Sequence, residues 1–185
     1  MRKARKPVVE CILAVLLGTA ILPVLVLTIL LAAISTASSG IFTQTRIGQH
    51  GKPFTLYKLH TIKNAKATRI GKLLRKTKID ELPQLFNILK GDMSFVGPRP
   101  DVPGYYDQLQ GEDRRVLLLK PGLTSLAAIK YRKEEELLAH QEHPLLYNDQ
   151  VIFPDKVRMN LEYLNKKSVW YDIKIICLTI QSLFN

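Results

Sequence analysis

The chain has 185 residues and a formal net charge of +11, with 27 Lys and Arg against 16 Asp and Glu. This length allows one domain with a real core, and an apolar content of 46% excludes a disordered basic tail. The charge predicts an anionic partner: nucleic acid, a phosphorylated ligand or an acidic membrane surface. Two cysteines, Cys11 and Cys177, exclude a disulfide framework and fit a reducing compartment.

The first predicted element is an uncharged segment of 24 residues, from Cys11 to Ile34. As a straight helix it would measure about 36 Å, enough to cross a hydrocarbon core of about 30 Å. A cleaved signal peptide is the first alternative, because basic residues precede the segment and small residues follow it. The segment is much longer than the apolar core of a typical signal peptide. We therefore expect a membrane helix.

Two features bear on the path of this helix through the bilayer. Pro23 lies near its centre, where it breaks or kinks a helix and frees the carbonyl of Thr19; the Thr19 hydroxyl is the nearest partner for that carbonyl. Four basic residues precede the helix, and ten follow between Arg46 and Lys78 with no acid among them. Such flanks prefer the cytoplasmic side. A spanning helix with a kink and a re-entrant helix–break–helix both stay open, and the charge symmetry favours the re-entrant path.

Alternating apolar and polar residues then surround the turn signal Gln49-His50-Gly51-Lys52, which predicts a β-hairpin. The following stretch RIGKLLRKTKI predicts a short basic helix with apolar Ile70, Leu73 and Leu74. A helix of this kind suits an anionic membrane surface.

Asp80 and Glu81 are the first acids after a stretch from Cys11 to Ile79 that has none. Asp80 is a good N-cap, Pro83 fits a first helical turn, and Gly91 is a typical helix end. The apolar face of this helix is predicted at Leu82, Leu85, Phe86 and Leu89. A cap is the simpler interpretation of Asp80 alone, although a helix N-terminus also favours anionic ligands.

The stretch VGPRP cannot form regular structure, because Pro98 and Pro100 bracket Arg99 and stiffen its loop. A rigid Arg suits bidentate phosphate recognition, and a solvated surface Arg is the alternative. Further on, KPGLTSLAAIKYR predicts a turn and a short strand or helix, and Phe153 to Leu164 predicts a helix. An apolar stripe at helical spacing, either core or membrane surface, ends the chain at Val169, Trp170, Ile173, Ile176, Cys177 and Ile180.

The stretch RIGKLLRKTKIDELPQLFNILKGDMSFVGPRP closely resembles the catalytic signature of the bacterial sugar transferases, the monotopic phosphoglycosyl transferases. The resemblance extends to FTQTRIGQHGKPFTLYKLHTI, KPGLTSLAAIKYR and WYDIKIICLTI, and the apolar N-terminus is similar to the family's Pro-broken helix. It implies transfer of a sugar-1-phosphate from a UDP-sugar to polyprenyl (undecaprenyl) phosphate, with Mg²⁺ as cofactor. It also implies the cytoplasmic face of the bacterial inner membrane and the first membrane step of glycan assembly.

The resemblance implies residue roles as well. Asp80 aligns with the nucleophile that attacks the sugar-bearing phosphate of the donor, which gives a phosphosugar–aspartyl intermediate and UMP. Asp80 is also the expected Mg²⁺ ligand, and Glu81 is its partner in the dyad. The residues implied in phosphate or nucleotide binding are Lys58, Arg75, Pro98, Arg99 and Pro100.

Three positions depart from the family pattern. His60 stands where an Arg is common, which predicts a weaker hold on phosphate at neutral pH. Ser125 stands where a Gly is usual, which questions the backbone freedom there. Leu22 replaces a frequent Ser before the break-point Pro23.

We expect a mostly helical α+β fold with a small β-hairpin and amphipathic interfacial helices. Residues 1–40 would form the basic N-terminus and the Pro-broken re-entrant helix, and residues 41–185 the cytoplasmic catalytic domain. The charge alone would also fit a membrane-tethered nucleic-acid-binding protein, but no aromatic-and-basic face or helix-turn-helix supports it, so no nucleic acid is expected. A non-catalytic scaffold would not need the carboxylate pair. The sugar is not specified, and a homodimer stays open.

Overall fold

The computed structural model describes residues 5–183, so Arg2 and Lys3 of the basic N-terminus lie outside the described residues. Helices predominate over a few short strand pairs, which confirms the predicted α+β class. The helices are α1 (Arg5–Thr36), α2 (Arg69–Lys76), α3 (Gln84–Lys90), α4 (Leu126–Lys130), α5 (Glu134–Ala139), α6 (Pro144–Tyr147), α7 (Phe153–Lys166) and α8 (Val169–Leu183). The strands are β1 (Ile41–Ile47), β2 (Pro53–Leu59), β3 (Ile62–Lys63), β4 (Lys66–Ala67), β5 (Ser94–Val96) and β6 (Gly122–Thr124), paired as β1-β2, β3-β4 and β5-β6.

The chain divides into two compact units. Unit 1 contains the chain up to Arg46 together with Pro53–Ser94, and unit 2 contains Ile47–Lys52 and the chain from Phe95 onward. The apolar helix α1 and the Asp80–Glu81 pair therefore belong to the same compact unit. The predicted division at residue 40 separates bilayer from cytoplasm and stays a prediction.

Helix α1 is continuous from Arg5 to Thr36 and contains Pro23 in its interior. Helix α1 is therefore not interrupted at Pro23, because one missing N–H donor removes one bond while those on either side persist. A Pro kink within a continuous helix fits this, and the choice between a spanning and a re-entrant path stays a prediction. The Thr19 hydroxyl donates to the carbonyls of Val15 (3.0 Å) and Leu16 (2.9 Å), not to its own freed carbonyl as predicted. Among the described residues, the stretch Glu10–Thr36 is long and apolar enough to cross a membrane.

The C-terminal half of α1 is part of the core of unit 1. Ala32 is fully buried against Leu59 of β2 and Leu74 of α2, and Ile79 packs on the same cluster. Gly40 allows this close packing: it has a φ of +80°, and a Cβ there would lie 2.4 Å from the carbonyl oxygen of Ile29. The turn that carries Asp80 thus rests on a core to which the apolar helix contributes.

Both ends of α1 are hydrogen-bonded to other parts of unit 1. Near the N-terminal end, the Ser94 hydroxyl donates to the carboxylate of Glu10 at 2.5 Å. Near the C-terminal end, the Thr68 hydroxyl donates to the Ser35 hydroxyl oxygen at 3.4 Å. Between these contacts, most of the large apolar side chains of α1 are exposed.

The predicted hairpin is confirmed, with β1 and β2 joined through a short turn at Gln49–Gly51. A second hairpin pairs β3 and β4 around Asn64 and Ala65. Both turn residues have positive φ (49° and 62°), as in a type I′ turn.

In unit 2 the predicted helix at Phe153 forms α7, and α8 packs beside it. The Tyr163 hydroxyl of α7 donates to the carboxylate of Asp172, and Ile175 is fully buried. The predicted apolar stripe mostly lies on the opposite side and is not core: Trp170 is 81% exposed. Other exposed members are Val169, Ile173, Cys177 and Ile180.

Candidate active site

The two carboxylates of the dyad lie in a 3₁₀ turn, Ile79–Glu81, that precedes α3. Pro83, not Asp80, occupies the position before α3, so the structure does not support the simpler interpretation of Asp80 as a helix cap. The turn is closed by hydrogen bonds from the Glu81 N–H to the Lys78 carbonyl and from the Leu82 N–H to the Ile79 carbonyl, both 3.1 Å. Because a 3₁₀ turn forms its own bonds, Asp80 is free of the capping role.

Lys78 gives this turn its direction. Its φ is +59°, the left-handed conformation that non-glycine residues rarely adopt, and its N–H donates to the Arg75 carbonyl at 3.2 Å. The chain therefore reverses between α2 and the dyad within a few residues. Strained backbone of this kind is often found at functional sites.

Asp80 and Glu81 are both buried, with 8% and 7% of their surfaces exposed. The Oδ1 atom of Asp80 has no hydrogen-bond partner among the described residues. Burial, and then the negative charge of Glu81, raises the pKa of Asp80, while Lys58, Lys78 and Arg75 act in the opposite direction. A carboxylate that is poorly solvated and flanked by cations can approach a phosphate without losing a full hydration shell.

Lys58 and Arg75 come to the dyad from different elements of unit 1. Lys58 lies on β2, with its Nζ atom 3.7 Å from the Oε1 atom of Glu81. Arg75 is half-buried in the last turn of α2. The structure thus brings both predicted phosphate-binding residues into the electrostatic surroundings of Asp80. Lys78, which the sequence indicated only as a charge at the membrane surface, also lies among the cations that act on Asp80.

Helix α2 is held in place by its first turn. The Thr68 hydroxyl accepts a hydrogen bond from the Gly71 N–H at 2.9 Å, and the Thr68 N–H donates to the Thr61 carbonyl at 3.0 Å. Gly71 lies directly on that carbonyl, because a Cβ at this position would be 2.2 Å from the Thr61 oxygen. The position of Arg75 therefore depends on a contact that only glycine permits.

The predicted Arg99 loop lies in unit 2. Pro98 and Pro100 are buried and Arg99 is exposed, as expected for a loop stiffened by its prolines. Two backbone bonds hold the loop, from the Gly122 N–H to the Pro98 carbonyl (2.8 Å) and from the Gly97 N–H to the Thr124 carbonyl (3.0 Å). The three loop residues line a shallow surface depression together with Gly48 and Pro121. The nucleotide-side role of Arg99 stays a prediction.

Two departures from the family pattern have structural explanations. The Nδ1 atom of His60 is hydrogen-bonded to the Ser38 hydroxyl at 2.7 Å, and its ring stacks on Phe42. It therefore secures the junction after α1. Ser125 has an extended backbone (φ −160°), and its hydroxyl accepts a hydrogen bond from the Ala128 N–H as the cap of α4. No glycine is required there.

The residues around Asp80 fit a Mg²⁺ ion that is completed by substrate. The described part of the chain contains no group of three or more His, Cys, Asp or Glu side chains that could hold a metal by itself. Mg²⁺ commonly takes one or two carboxylates and completes its shell with water and substrate phosphates. The unpartnered Oδ1 atom of Asp80 is a suitable oxygen for that arrangement.

Comparison with known proteins points to one family. The family model described as bacterial sugar transferase matches residues 1–185. The UDP-glucose:undecaprenyl-phosphate glucose-1-phosphate transferase of Escherichia coli (strain K12) is 34% identical over 92% of this chain and 38% of its own length. The protein of the same name from Caulobacter vibrioides is 32% identical over 97% of this chain and 69% of its own length.

A putative undecaprenyl-phosphate N-acetylgalactosaminyl 1-phosphate transferase of Bacillus subtilis (strain 168) is 45% identical over 52% of this chain and 63% of its own length. The chain thus spans a little over a third of the Escherichia coli relative and about two thirds of the other two.

Proposed function

The chain belongs to the bacterial sugar transferase family, and from that premise we propose that it transfers a sugar-1-phosphate from a UDP-sugar to polyprenyl phosphate. The observation that carries the proposal is the buried Asp80. Its Oδ1 atom has no hydrogen-bond partner in the described part of the chain, and its charge is opposed by Lys58, Lys78 and Arg75. The undecaprenyl-phosphate substrates in the names of the relatives support the choice of acceptor. The reaction would begin the assembly of a bacterial polysaccharide or glycoconjugate.

The proposed reaction has two steps, and in each of them one bond to the sugar-bearing phosphorus forms while another breaks. In the first, an Asp80 carboxylate oxygen forms a bond to the phosphorus that carries the sugar, and the bond from that phosphorus to the bridging oxygen breaks, releasing UMP. In the second, an oxygen of the lipid phosphate attacks the same phosphorus and Asp80 leaves as a carboxylate. Each step replaces one phosphorus–oxygen bond by another, so catalysis is mainly positioning and charge neutralisation.

The cations of unit 1 make the first step feasible. A carboxylate and a pyrophosphate repel each other, and Lys58, Lys78 and Arg75 supply positive charge where the two would meet. When bound, Mg²⁺ would further neutralise the phosphate oxygens, with Asp80 as its protein ligand. Glu81, paired with Lys58, would keep that lysine directed at the site. Arg99 would hold the nucleotide phosphate.

The first test is a UMP-release screen with Mg²⁺ in detergent. We expect UMP to be released from one member of a panel that includes UDP-glucose, UDP-galactose and UDP-N-acetylgalactosamine before any lipid phosphate is added. The amount should approach one UMP per enzyme, because the intermediate stores the sugar phosphate on Asp80. Mass spectrometry of the Asp80 peptide should show the adduct.

If UMP is formed only with acceptor present and no adduct is found, the covalent mechanism is wrong. If no UMP is formed with any UDP-sugar in the presence of acceptor, the proposed function itself is wrong.

We also propose that the protein is attached to the cytoplasmic face of the inner membrane, since the acceptor is a membrane lipid. Helix α1 would enter the bilayer, and the exposed apolar face of α8 would give unit 2 a surface suited to lipid. The basic residues of unit 1 would lie against anionic headgroups: Lys63, Lys66, Arg69, Lys72 and Lys76.

The topology of α1 can be tested with terminal tags. Because both ends of α1 are hydrogen-bonded to unit 1, we expect an N-terminal tag and a C-terminal tag to be on the cytoplasmic side together. Protease accessibility in inverted and right-side-out vesicles measures this directly. A periplasmic N-terminal tag would refute the re-entrant path and support a spanning helix.

A further inference from the structure

The side-chain amide of Asn87 joins α3 to β2. Asn87 is completely buried. Its Nδ2 atom donates to the Thr55 carbonyl at 2.7 Å, and its Oδ1 atom accepts from the Tyr57 N–H at 3.2 Å. Both backbone groups belong to β2, so one amide makes a two-point contact with this strand.

The Asn87 amide supplies the hydrogen bonds that a third strand would make to this edge of β2. Among the described residues, β2 pairs in its sheet with β1 and with no other strand. The backbone groups of residues i and i+2 of a strand point to the same edge. The amide of Asn87 presents one donor and one acceptor to that edge, as a neighbouring peptide would. An apolar side chain would remove the partner of both backbone groups in a part-buried contact, which is costly where water does not replace it.

The contact between Asn87 and β2 lies next to Lys58 in the strand. Lys58 directly follows Tyr57, and its Nζ atom lies 3.7 Å from Glu81. Glu81 and Asn87 belong to one helical segment, the 3₁₀ turn followed by α3. The strand and the segment are therefore joined twice, once by the amide and once by the Lys58–Glu81 ion pair.

We propose that Asn87 is a positioning residue for the transfer reaction, which sets the register of β2 so that Lys58 faces the dyad. The inference rests on the proposed function, because it assigns Asn87 an effect on the transfer rate. Asn87 is buried and its amide contacts β2, so it acts through Lys58. If the amide is removed, β2 shifts along α3 and the Lys58 ammonium moves away from the site of charge development.

A double-mutant cycle on the full chain tests this coupling. We expect Asn87→Ser and Lys58→Met each to lower the single-turnover rate of UMP release by about 100-fold, and the double variant by little more than either alone. Independent effects would multiply to about 10⁴-fold. The matched control is Asn160→Ser, which removes another buried amide, one that donates to the Tyr106 hydroxyl in unit 2. Its effect should multiply with that of Lys58→Met.

Hydrogen exchange gives a readout that does not depend on activity. Asn87→Ser should accelerate exchange of the Tyr57 amide by at least about tenfold, whereas Lys58→Met and Asn160→Ser should leave it unchanged. If Asn87→Ser does not fold, Asn87→Asp takes its place in the rate cycle alone. It loses the donor to Thr55 but retains an acceptor for Tyr57, so exchange of the Tyr57 amide should then stay unchanged.

Two results would overturn the inference in an enzyme that releases UMP. One is that the fold-losses of rate from Asn87→Ser and Lys58→Met multiply in the double variant; the other is that Asn87→Ser leaves the exchange rate of the Tyr57 amide unchanged. Absence of UMP release from the unmodified chain would instead refute the proposed function, and the exchange result would then report on the strand contact alone.

Discussion

Asp80→Asn should lower the rate of sugar-phosphate transfer by about 10⁴-fold or more, as removal of a nucleophile does in other enzymes. The amide oxygen of Asn cannot form the bond to phosphorus that the carboxylate forms. The variant should still associate with membranes and should be as stable as the unmodified chain or more so. Burial and Glu81 raise the pKa of Asp80, so ionisation of this group opposes folding at neutral pH, and a neutral amide removes that opposition. UMP release and thermal unfolding measure the two effects.

Asp172→Asn is the matched control, since Asp172 is as buried as Asp80 at 8% exposure. Its carboxylate accepts a hydrogen bond from Tyr163, so the substitution should weaken packing between α7 and α8. We expect a lower unfolding temperature and a transfer rate within a few-fold of normal in the folded protein. Turnover by Asp80→Asn near that of the unmodified chain would contradict the nucleophile assignment.

Gly71→Ala should be the most damaging substitution for the structure around the dyad. The added Cβ would lie 2.2 Å from the Thr61 carbonyl oxygen and 2.9 Å from the Thr61 carbonyl carbon. Both are backbone atoms that cannot rotate away, so α2 must move. We expect a loss of about 3 kcal/mol or more in unfolding free energy, at the upper end for overpacked sites. Because α2 carries Arg75, transfer activity should fall further than the folded fraction measured by circular dichroism.

Gly18→Ala is the corresponding control in α1. Apart from the chain neighbours of Gly18 and the adjacent backbone of α1, no atom of the described residues lies within 4 Å of a Cβ at Gly18. Alanine should therefore leave stability unchanged or raise it by up to about 1 kcal/mol through its higher helix propensity. Equal effects of the two substitutions would show that the contact between Gly71 and Thr61 does not hold α2 in place.

Local patterns predicted most of the elements correctly. The hairpin, the basic helix α2 and the end of α3 follow from alternation, helical spacing and turn residues. At that end Gly91 has a φ of +83°, which glycine adopts without strain. The family motif also indicates Asp80, Glu81, Lys58 and Arg75, whose roles stay predictions. Each of these patterns lies within a few neighbouring residues, so it can be recognised in the sequence without knowledge of the fold.

The sequence was a poorer guide to which residues of α3 are buried than to where the elements lie. Of the apolar face predicted for α3, Leu85 is buried but Phe86 and Leu89 are exposed, and the buried positions include Gln84 and Asn87. An Asn within a helical pattern gives no signal that its amide will bind a strand some 30 residues earlier. Such a polar residue is buried only because β2 offers it a matching donor and acceptor.

The sequence by itself determined a helix long and apolar enough to cross a membrane, the order of the elements and the adjacent carboxylates Asp80 and Glu81, because each depends on composition and spacing within a short window. The tertiary structure decided that α1 continues through Pro23, that Asp80 lies in a 3₁₀ turn without a capping role, and that Lys78 joins the cations around it. These outcomes depend on long-range contacts, such as Ile79 on the core of unit 1 and Gly71 on Thr61. Their free energies are comparable to local propensities and override them where the two disagree.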